Sequence, residues 1–122
     1  MIVGIGTDLI ELDRIEKACK NIHFLERVFT ERERELGTNS IQSLAGNFAV
    51  KESVVKAFGT GFRGIEFQEI EVLRDELGKP YILLYGKAKE KQKELGISKL
   101  HVSITNTKQY AMAFVVGESG EV

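Results

Sequence analysis

Ser40-Ile41-Gln42-Ser43-Leu44-Ala45-Gly46-Asn47-Phe48-Ala49-Val50-Lys51-Glu52-Ser53-Val54-Val55-Lys56-Ala57-Phe58-Gly59 is the stretch that sets the architecture. Ser40 suits an N-cap and Gly59 a C′ stop, and between them Leu44, Phe48, Val55 and Phe58 fall along one helical stripe. At about 100° per residue, Asn47, Val50 and Val54 widen the stripe to a mostly apolar side. The segment therefore reads as a long helix, central and largely buried. Glu52 and Lys56 lie together beside the stripe, and spacing alone would make them a surface ion pair worth about 0.3–0.5 kcal/mol. Two features point elsewhere. Their side of the helix carries Ala45 and Ala49 rather than further charge, which leaves room for a ligand. The loop Gly59-Thr60-Gly61-Phe62-Arg63-Gly64 follows at once, and its glycines permit close backbone approach. Because the lysine precedes the glycines, this is not a P-loop.

Outward toward the start, Met1 to Gly6 reads as a short buried strand, and Leu12, Ile15, Cys19 and Ile22 then recur at helical spacing. Asp8 stands at that junction. The other side of this first helix mixes Arg14, Lys17 and Lys20 with Glu11, Asp13 and Glu16, the pattern of a solvated face. Thr30-Glu31-Arg32-Glu33 has the form of a capping box, opening a short helix that stops near Gly37. Toward the end, Ile70–Arg74 and Tyr81–Tyr85 flank the turn-rich Asp75-Glu76-Leu77-Gly78-Lys79-Pro80 and make a hairpin. Lys87–Leu95 is a short polar helix stopped by Gly96. Leu100–Thr105 and Tyr110–Val116, joined by Asn106-Thr107-Lys108-Gln109, make a second hairpin. Glu118 to Val122 is expected to fray. The whole, residues 1–122, is a single α+β domain: an antiparallel sheet of short strands packed against a long central helix.

With 122 residues, 43% of them apolar and 29% charged, and a net charge of −1, the chain is a soluble globular domain with no electrostatic reason to bind nucleic acid or an anionic membrane. The single cysteine, Cys19, excludes an internal disulfide, and no secretory leader pattern opens the chain, so a cytoplasmic location is expected. No apolar run approaches the roughly 18–20 residues of a membrane span. His23, His101 and Cys19 are too few and too scattered for a zinc site. Cys19 sits on an apolar stripe as a small core residue, and His101 points to the face of its strand opposite the core.

What remains is oxygen chemistry. The stretches Gly4-Ile5-Gly6-Thr7-Asp8 and Asn47 to Gly61 supply two carboxylates, Asp8 and Glu52, and two lysines, Lys51 and Lys56. Asp8 and Glu52 suit magnesium, which takes one or two carboxylates, waters and substrate phosphate oxygens, while Lys56 would neutralise phosphate charge. Such a site runs phosphoryl-type transfer by positioning and electrostatics, without a protein nucleophile. Composition and spacing alone stop at this metal–phosphate site.

Five fragments carry a resemblance that covers nearly the whole chain. Gly4 to Leu12, Phe29 to Glu33, Phe48 to Gly61, Gly78-Lys79-Pro80 and His101 to Thr105 closely resemble, in order, the motifs of the holo-[acyl-carrier-protein] synthase family of 4′-phosphopantetheinyl transferases. The resemblance implies the fold of that family and transfer of the phosphopantetheine arm of coenzyme A to a serine of apo acyl carrier protein, in support of fatty acid biosynthesis. It implies magnesium on Asp8 and Glu52, and Lys56 near the phosphates. Coenzyme A would meet Lys56, Gly59, Gly61, Lys79, Pro80, Thr105 and Asn106. The family is trimeric with sites at subunit boundaries, and its carrier protein docks on the first helix. That makes Arg14 the leading docking residue here, with Lys17, Lys20 and Arg27 behind it, and the patch would chiefly raise the association rate. Two positions depart from the family pattern: Asn47 stands where many members carry arginine, and Asn106 where several carry histidine. Both are expected to face the nucleotide end of coenzyme A, where Lys108, Arg63 or Lys79 could substitute. The competing readings are a magnesium-dependent nucleotide or coenzyme A pyrophosphatase and a non-catalytic trimeric binding module.

Overall fold

The computed structural model describes residues 1–37 and 40–120. Strand β1 (Ile2–Glu11) leads into two short helices, α1 (Leu12–Ala18) and α2 (Ile22–Val28), then α3 (Glu31–Leu36) and the long α4 (Ile41–Phe58). The hairpin β2 (Ile70–Arg74) and β3 (Pro80–Leu84) follows, then α5 (Gly86–Glu94) and the hairpin β4 (Lys99–Asn106) and β5 (Tyr110–Glu118). All pairing is antiparallel, in a three-stranded sheet of order β1-β5-β4 and the separate two-stranded β2-β3. The α+β expectation holds, with the strands divided between two sheets.

Helix α4 has the predicted ends. The Ser40 side chain accepts from the Ser43 N–H, and Gly59 closes the helix at φ +77°, a left-handed conformation that glycine adopts without steric cost. The helix is buried on more than the expected stripe: Ala45, Ala49, Lys51 and Ser53 are also inaccessible. Ala45 and Ala49 do not line an open ligand space. Their small side chains let the core close around the helix, Ala45 beside Leu12, Ile15 and Ala111, and Ala49 beside Val50 and Ala113.

Strand β1 is longer and more exposed than the sequence pattern suggests. One face meets α4 through Gly4, Gly6, Asp8 and Ile10, and the other presents Ile5 and Leu9, 59% and 62% exposed. Asp8 therefore lies within the strand, three residues before its end. The expected first helix is two helices, because Asn21 caps a new one: its Oδ1 accepts from the His23 N–H at 2.8 Å. Ile22 is thereby left half exposed. The capping box forms as read, Glu33 N–H donating to Thr30 Oγ1 and Thr30 N–H to Glu33 Oε1. Glu118 is not frayed. It ends β5, accepts from the Ser98 N–H and pairs with His101 Nε2 at 2.8 Å, while the Ser119 N–H donates to the Met1 carbonyl. The final two residues of that expectation lie outside the described residues.

Candidate active site

Two glycines determine where α4 lies. A Cβ on Gly4 would stand 2.1 Å from the Ala57 carbonyl oxygen, and one on Gly6 1.8 Å from that of Ser53. Only hydrogen at these positions lets the helix backbone rest directly on the strand. Asp8 is the next residue on the same face of β1, so the contact that requires Gly4 and Gly6 delivers its carboxylate to the flank of α4. There Lys56 Nζ donates to the Thr7 carbonyl at 3.0 Å and to Asp8 Oδ1 at 3.2 Å. Lys56 thus pairs across to β1 rather than along its own helix to Glu52. The ammonium side chain is 52% exposed and the Asp8 side chain 17%, so the group opens to solvent.

Glu52 completes the cluster. Burial pushes its carboxyl above the ordinary carboxylate range, the negative charge of Asp8 pushes it further, and Lys56 only partly opposes them. The arrangement is two neighbouring carboxylates and one cation: the oxygen-rich, anionic donor set that a hard divalent cation would relieve. Among the described residues no group of three or more His, Cys, Asp or Glu gathers as a metal site.

The other lysine of the same segment, Lys51, faces the opposite way and takes no part. It is fully buried, with Nζ donating to Glu33 Oε1 at 2.8 Å, to the Phe67 carbonyl at 3.0 Å and to the Ile70 carbonyl. Burial lowers its pKa, against the raising charge of Glu33. Asn47 is also buried, its Nδ2 donating to Glu33 Oε2 and the Val72 carbonyl. The expectation that Asn47 faces a nucleotide is therefore wrong. The second oxygen of Glu33 turns inward beneath α4, and Asn47 supplies a donor to it.

The expected coenzyme A residues divide. Gly59 and Gly61, both at positive φ, turn the loop just beyond Lys56, with open space where a side chain would project. Pro80 and Asn106 line a cavity of about 220 Å³ together with Ser43, Arg74, Gly78 and Ile104. Lys79 is exposed beside it in the β2–β3 turn. Thr105 opposes Met112 and belongs to the outer face of the sheet, away from that cavity. Of the substitute cations, Lys108 lies among Asp13, Glu16 and Glu11, and Arg63 among Glu90, Glu94 and the lysines of α5, so neither borders the cavity. Arg74, which sequence reasoning passed over, does. The four proposed docking cations, Arg14, Lys17, Lys20 and Arg27, are all exposed on α1, α2 and the turn between them, with Arg27 over the Phe24 ring at 6.0 Å.

The carboxylate cluster and the cavity sit at opposite edges of one sheet. Asp8, Ala113 and Ile104 form a single row across β1, β5 and β4, about 10 Å from end to end at the usual strand spacing. Helix α4 crosses between the two ends, touching Gly4 and Gly6 near its C-terminus and Ile104 beside Gly46.

This fold corresponds to a known class. A model of the 4′-phosphopantetheinyl transferase superfamily matches residues 4–115, and the chain belongs to that superfamily. It is 57% identical, over 97% of both chains, to the holo-[acyl-carrier-protein] synthase of Lachnoclostridium phytofermentans. The crystal structure of the enzyme of that name from Neisseria meningitidis superposes with a TM-score of 0.89 at 36% identity, covering 98% of this chain and 100% of its own. The Bacillus anthracis synthase, solved in complex with coenzyme A (3′,5′-ADP), matches at 0.82 and 40%, covering 98% and 99%. Within the superfamily the chain groups with the holo-[acyl-carrier-protein] synthases.

Proposed function

We propose that this protein transfers the 4′-phosphopantetheine arm of coenzyme A to a serine hydroxyl of apo acyl carrier protein, releasing adenosine 3′,5′-bisphosphate, in support of fatty acid biosynthesis in the cytoplasm. The observation that carries the reading is the convergence of Asp8, Glu52 and Lys56 on one solvent-open flank, in a chain of this family. Asp8 and Glu52 would hold a magnesium ion, which would relieve both the burial that chiefly raises the Glu52 pKa and the repulsion from Asp8 that adds to it. Bound there, it would supply Lewis-acid polarisation of the coenzyme A pyrophosphate.

In the transfer a bond forms between the carrier serine oxygen and the phosphorus that bears the pantetheine. The bond from that phosphorus to the bridging oxygen breaks, its electron pair leaves with the nucleotide, and the serine proton passes to solvent water at the open flank. Lys56, half exposed on a flexible stem, meets the charge that accumulates on the departing phosphate. The open Gly59–Gly61 turn leaves backbone free to approach the pantetheine phosphates. No protein nucleophile is required, and Ser53, which follows Glu52, is fully buried with its hydroxyl donated to backbone carbonyls. The relatives are holo-[acyl-carrier-protein] synthases by name, and the matching family model is that of a transferase superfamily, which weighs against a pyrophosphatase.

Two further features support a homotrimer with sites shared between subunits. The outer face of the β1-β5-β4 sheet exposes Ile5, Leu9, Met112 and Phe114, an apolar surface of the kind that association covers. The Asp8 carboxylate and the cavity beside Pro80 lie on opposite edges of that sheet, with α4 between them. In such an assembly coenzyme A would meet the carboxylates of one subunit and the cavity of its neighbour. The carrier would dock on Arg14, Lys17, Lys20 and Arg27, which surround the half-exposed Ile22 and suit an acidic helix with an apolar ridge.

Intact-mass analysis of apo acyl carrier protein, after incubation with this protein, coenzyme A and magnesium, tests the reading. The expected result is a gain of one phosphopantetheine, lost in E52Q and on chelation. No gain with several carriers would sink it.

A further inference from the structure

Position 47 is turned into the core and position 106 carries a neutral amide, so neither supplies a cation to the cavity beside Pro80. The cavity is not uncharged, however. Arg74, the last residue of β2, is half buried on its wall, with Nη2 directed toward Gly46 of α4. Among the described residues this guanidinium makes one hydrogen bond, a long one of 3.4 Å from Nη1 to the carbonyl of its own neighbour Leu73. Among the described residues no carboxylate lies within ion-pair distance of it, whereas the fully buried cation Lys51 has one. Lys51 has Glu33, and Glu33 is spoken for by Lys51, Asn47, Thr30 N–H and Val72 N–H.

The rest of the lining is Ser43, Asn106, Ile104 and the Gly78–Pro80 turn, so no acid competes for the cation. Nearby Asp75 is engaged instead with the Leu77 and Lys79 N–H groups of its own turn. A guanidinium that is partly desolvated without a counterion costs free energy, and burial accordingly pushes Arg74 below its ordinary range, against the pull of Glu33. A phosphomonoester dianion would repay that cost with bidentate, charge-assisted hydrogen bonds.

We propose that Arg74 recognises the 3′-phosphate of coenzyme A in this protein, so that the cation for this group is carried by strand β2 rather than by helix α4 or the β4–β5 turn. The inference rests on the coenzyme A reading above. It distinguishes coenzyme A from its 3′-dephospho form, and it makes Arg74 a specificity residue remote from the transferred group.

The test compares wild type, R74Q, R74K and the neighbouring K79Q by carrier modification with coenzyme A and with 3′-dephospho-coenzyme A. It adds calorimetric binding of adenosine 3′,5′-bisphosphate against adenosine 5′-monophosphate. R74Q should raise KM for coenzyme A by about 10- to 100-fold while leaving kcat and the KM for the dephospho form near wild type. R74K should recover part of the loss, and K79Q should show a smaller one. In calorimetry R74Q should erase the preference for the bisphosphate. Equal losses on both donors, or none on either, would overturn the assignment even where wild type modifies the carrier. Failure of wild type to modify any carrier would instead overturn the transferase reading, and the calorimetric preference would still decide whether Arg74 binds the phosphate. A thermal melt of each variant separates misfolding from lost recognition.

Discussion

Lys51 and Lys56 leave the same helix five positions apart, and each meets a carboxylate carried by a different element. The first pair, with Glu33, has no solvent exposure on either partner and is closed by further bonds to the Phe67 and Ile70 carbonyls, Asn47, Thr30 and Val72. The second, with Asp8, is open to water, has one ion-pair contact and stands beside a second carboxylate whose charge it does not fully offset. The same residue types thus perform opposite tasks. A satisfied buried pair holds α3, α4 and β2 together, whereas an under-satisfied exposed cluster is free to bind something else.

The comparison can be broken most decisively at Glu52. E52Q and D8N should lower carrier modification by about 10³-fold or more while melting no lower than wild type, since each removes one of two repelling charges. A variant that lost stability and kept activity would reverse the roles assigned to the two pairs. K51M should do the converse. Leaving Glu33 buried without its cation costs about 3–5 kcal/mol, to be read from urea denaturation, with little change in KM for the folded enzyme. Wild-type stability in K51M would show that the buried pair holds nothing together.

G6A probes how the two regions depend on one strand contact. Its methyl group would meet the Ser53 carbonyl, so the helix must lift from β1. About 1–3 kcal/mol of stability should be lost, together with activity, because Asp8 moves away from Glu52 and Lys56. Loss of stability alone would show that the carboxylates tolerate the displacement.

The smallest expected effect is a sign. In metal-free protein the folded Glu52 carboxyl ionises above its unfolded value, so across that window the native state holds more protons. Stability then falls as pH rises through it, and the penalty disappears below the unfolded value. Glu71 behaves oppositely. Burial pushes its carboxyl up, but hydrogen bonds from Arg32, Thr30 and Tyr85 outweigh this and hold it low, so its contribution is present above the unfolded value and lost as pH falls through the folded one. Melting of E52Q and E71Q with pH should therefore diverge from wild type in opposite directions near neutrality and converge in acid. Parallel curves would contradict the environments described for both.

The ends of α4, the capping box at Thr30 and both hairpins were legible because each depends on a few neighbouring residues: a Ser40 hydroxyl, a Gly59 backbone, a Thr30–Glu33 spacing, an Asp75–Pro80 turn. Asp8, Glu52 and Lys56 were legible as a set through the family pattern, and their chemistry as hard oxygen donors beside a cation follows from residue type. The inward turn of Asn47 and Lys51 was not. A helix buried on most sides has no periodicity that separates a polar residue facing a ligand from one facing a buried carboxylate, and Glu33, which decides the matter, comes from another helix. Arg74 was missed for a related reason. Strand β2 is buried on both faces, so alternation marks no functional side.

Local chemistry in the chain accounts for which segments are helix, strand and turn, and for the presence of two carboxylates and a lysine fit for phosphate chemistry. Long-range packing chose which of the two lysines stays open, put Arg74 rather than Lys79 or Lys108 on the cavity wall, and parted the carboxylates from that cavity across a sheet. The physical reason is that capping and periodicity act over three or four residues, whereas desolvation and charge pairing depend on neighbours from distant segments, Glu33 beside Lys51 at a separation of 18 residues and Asp8 beside Lys56 at 48.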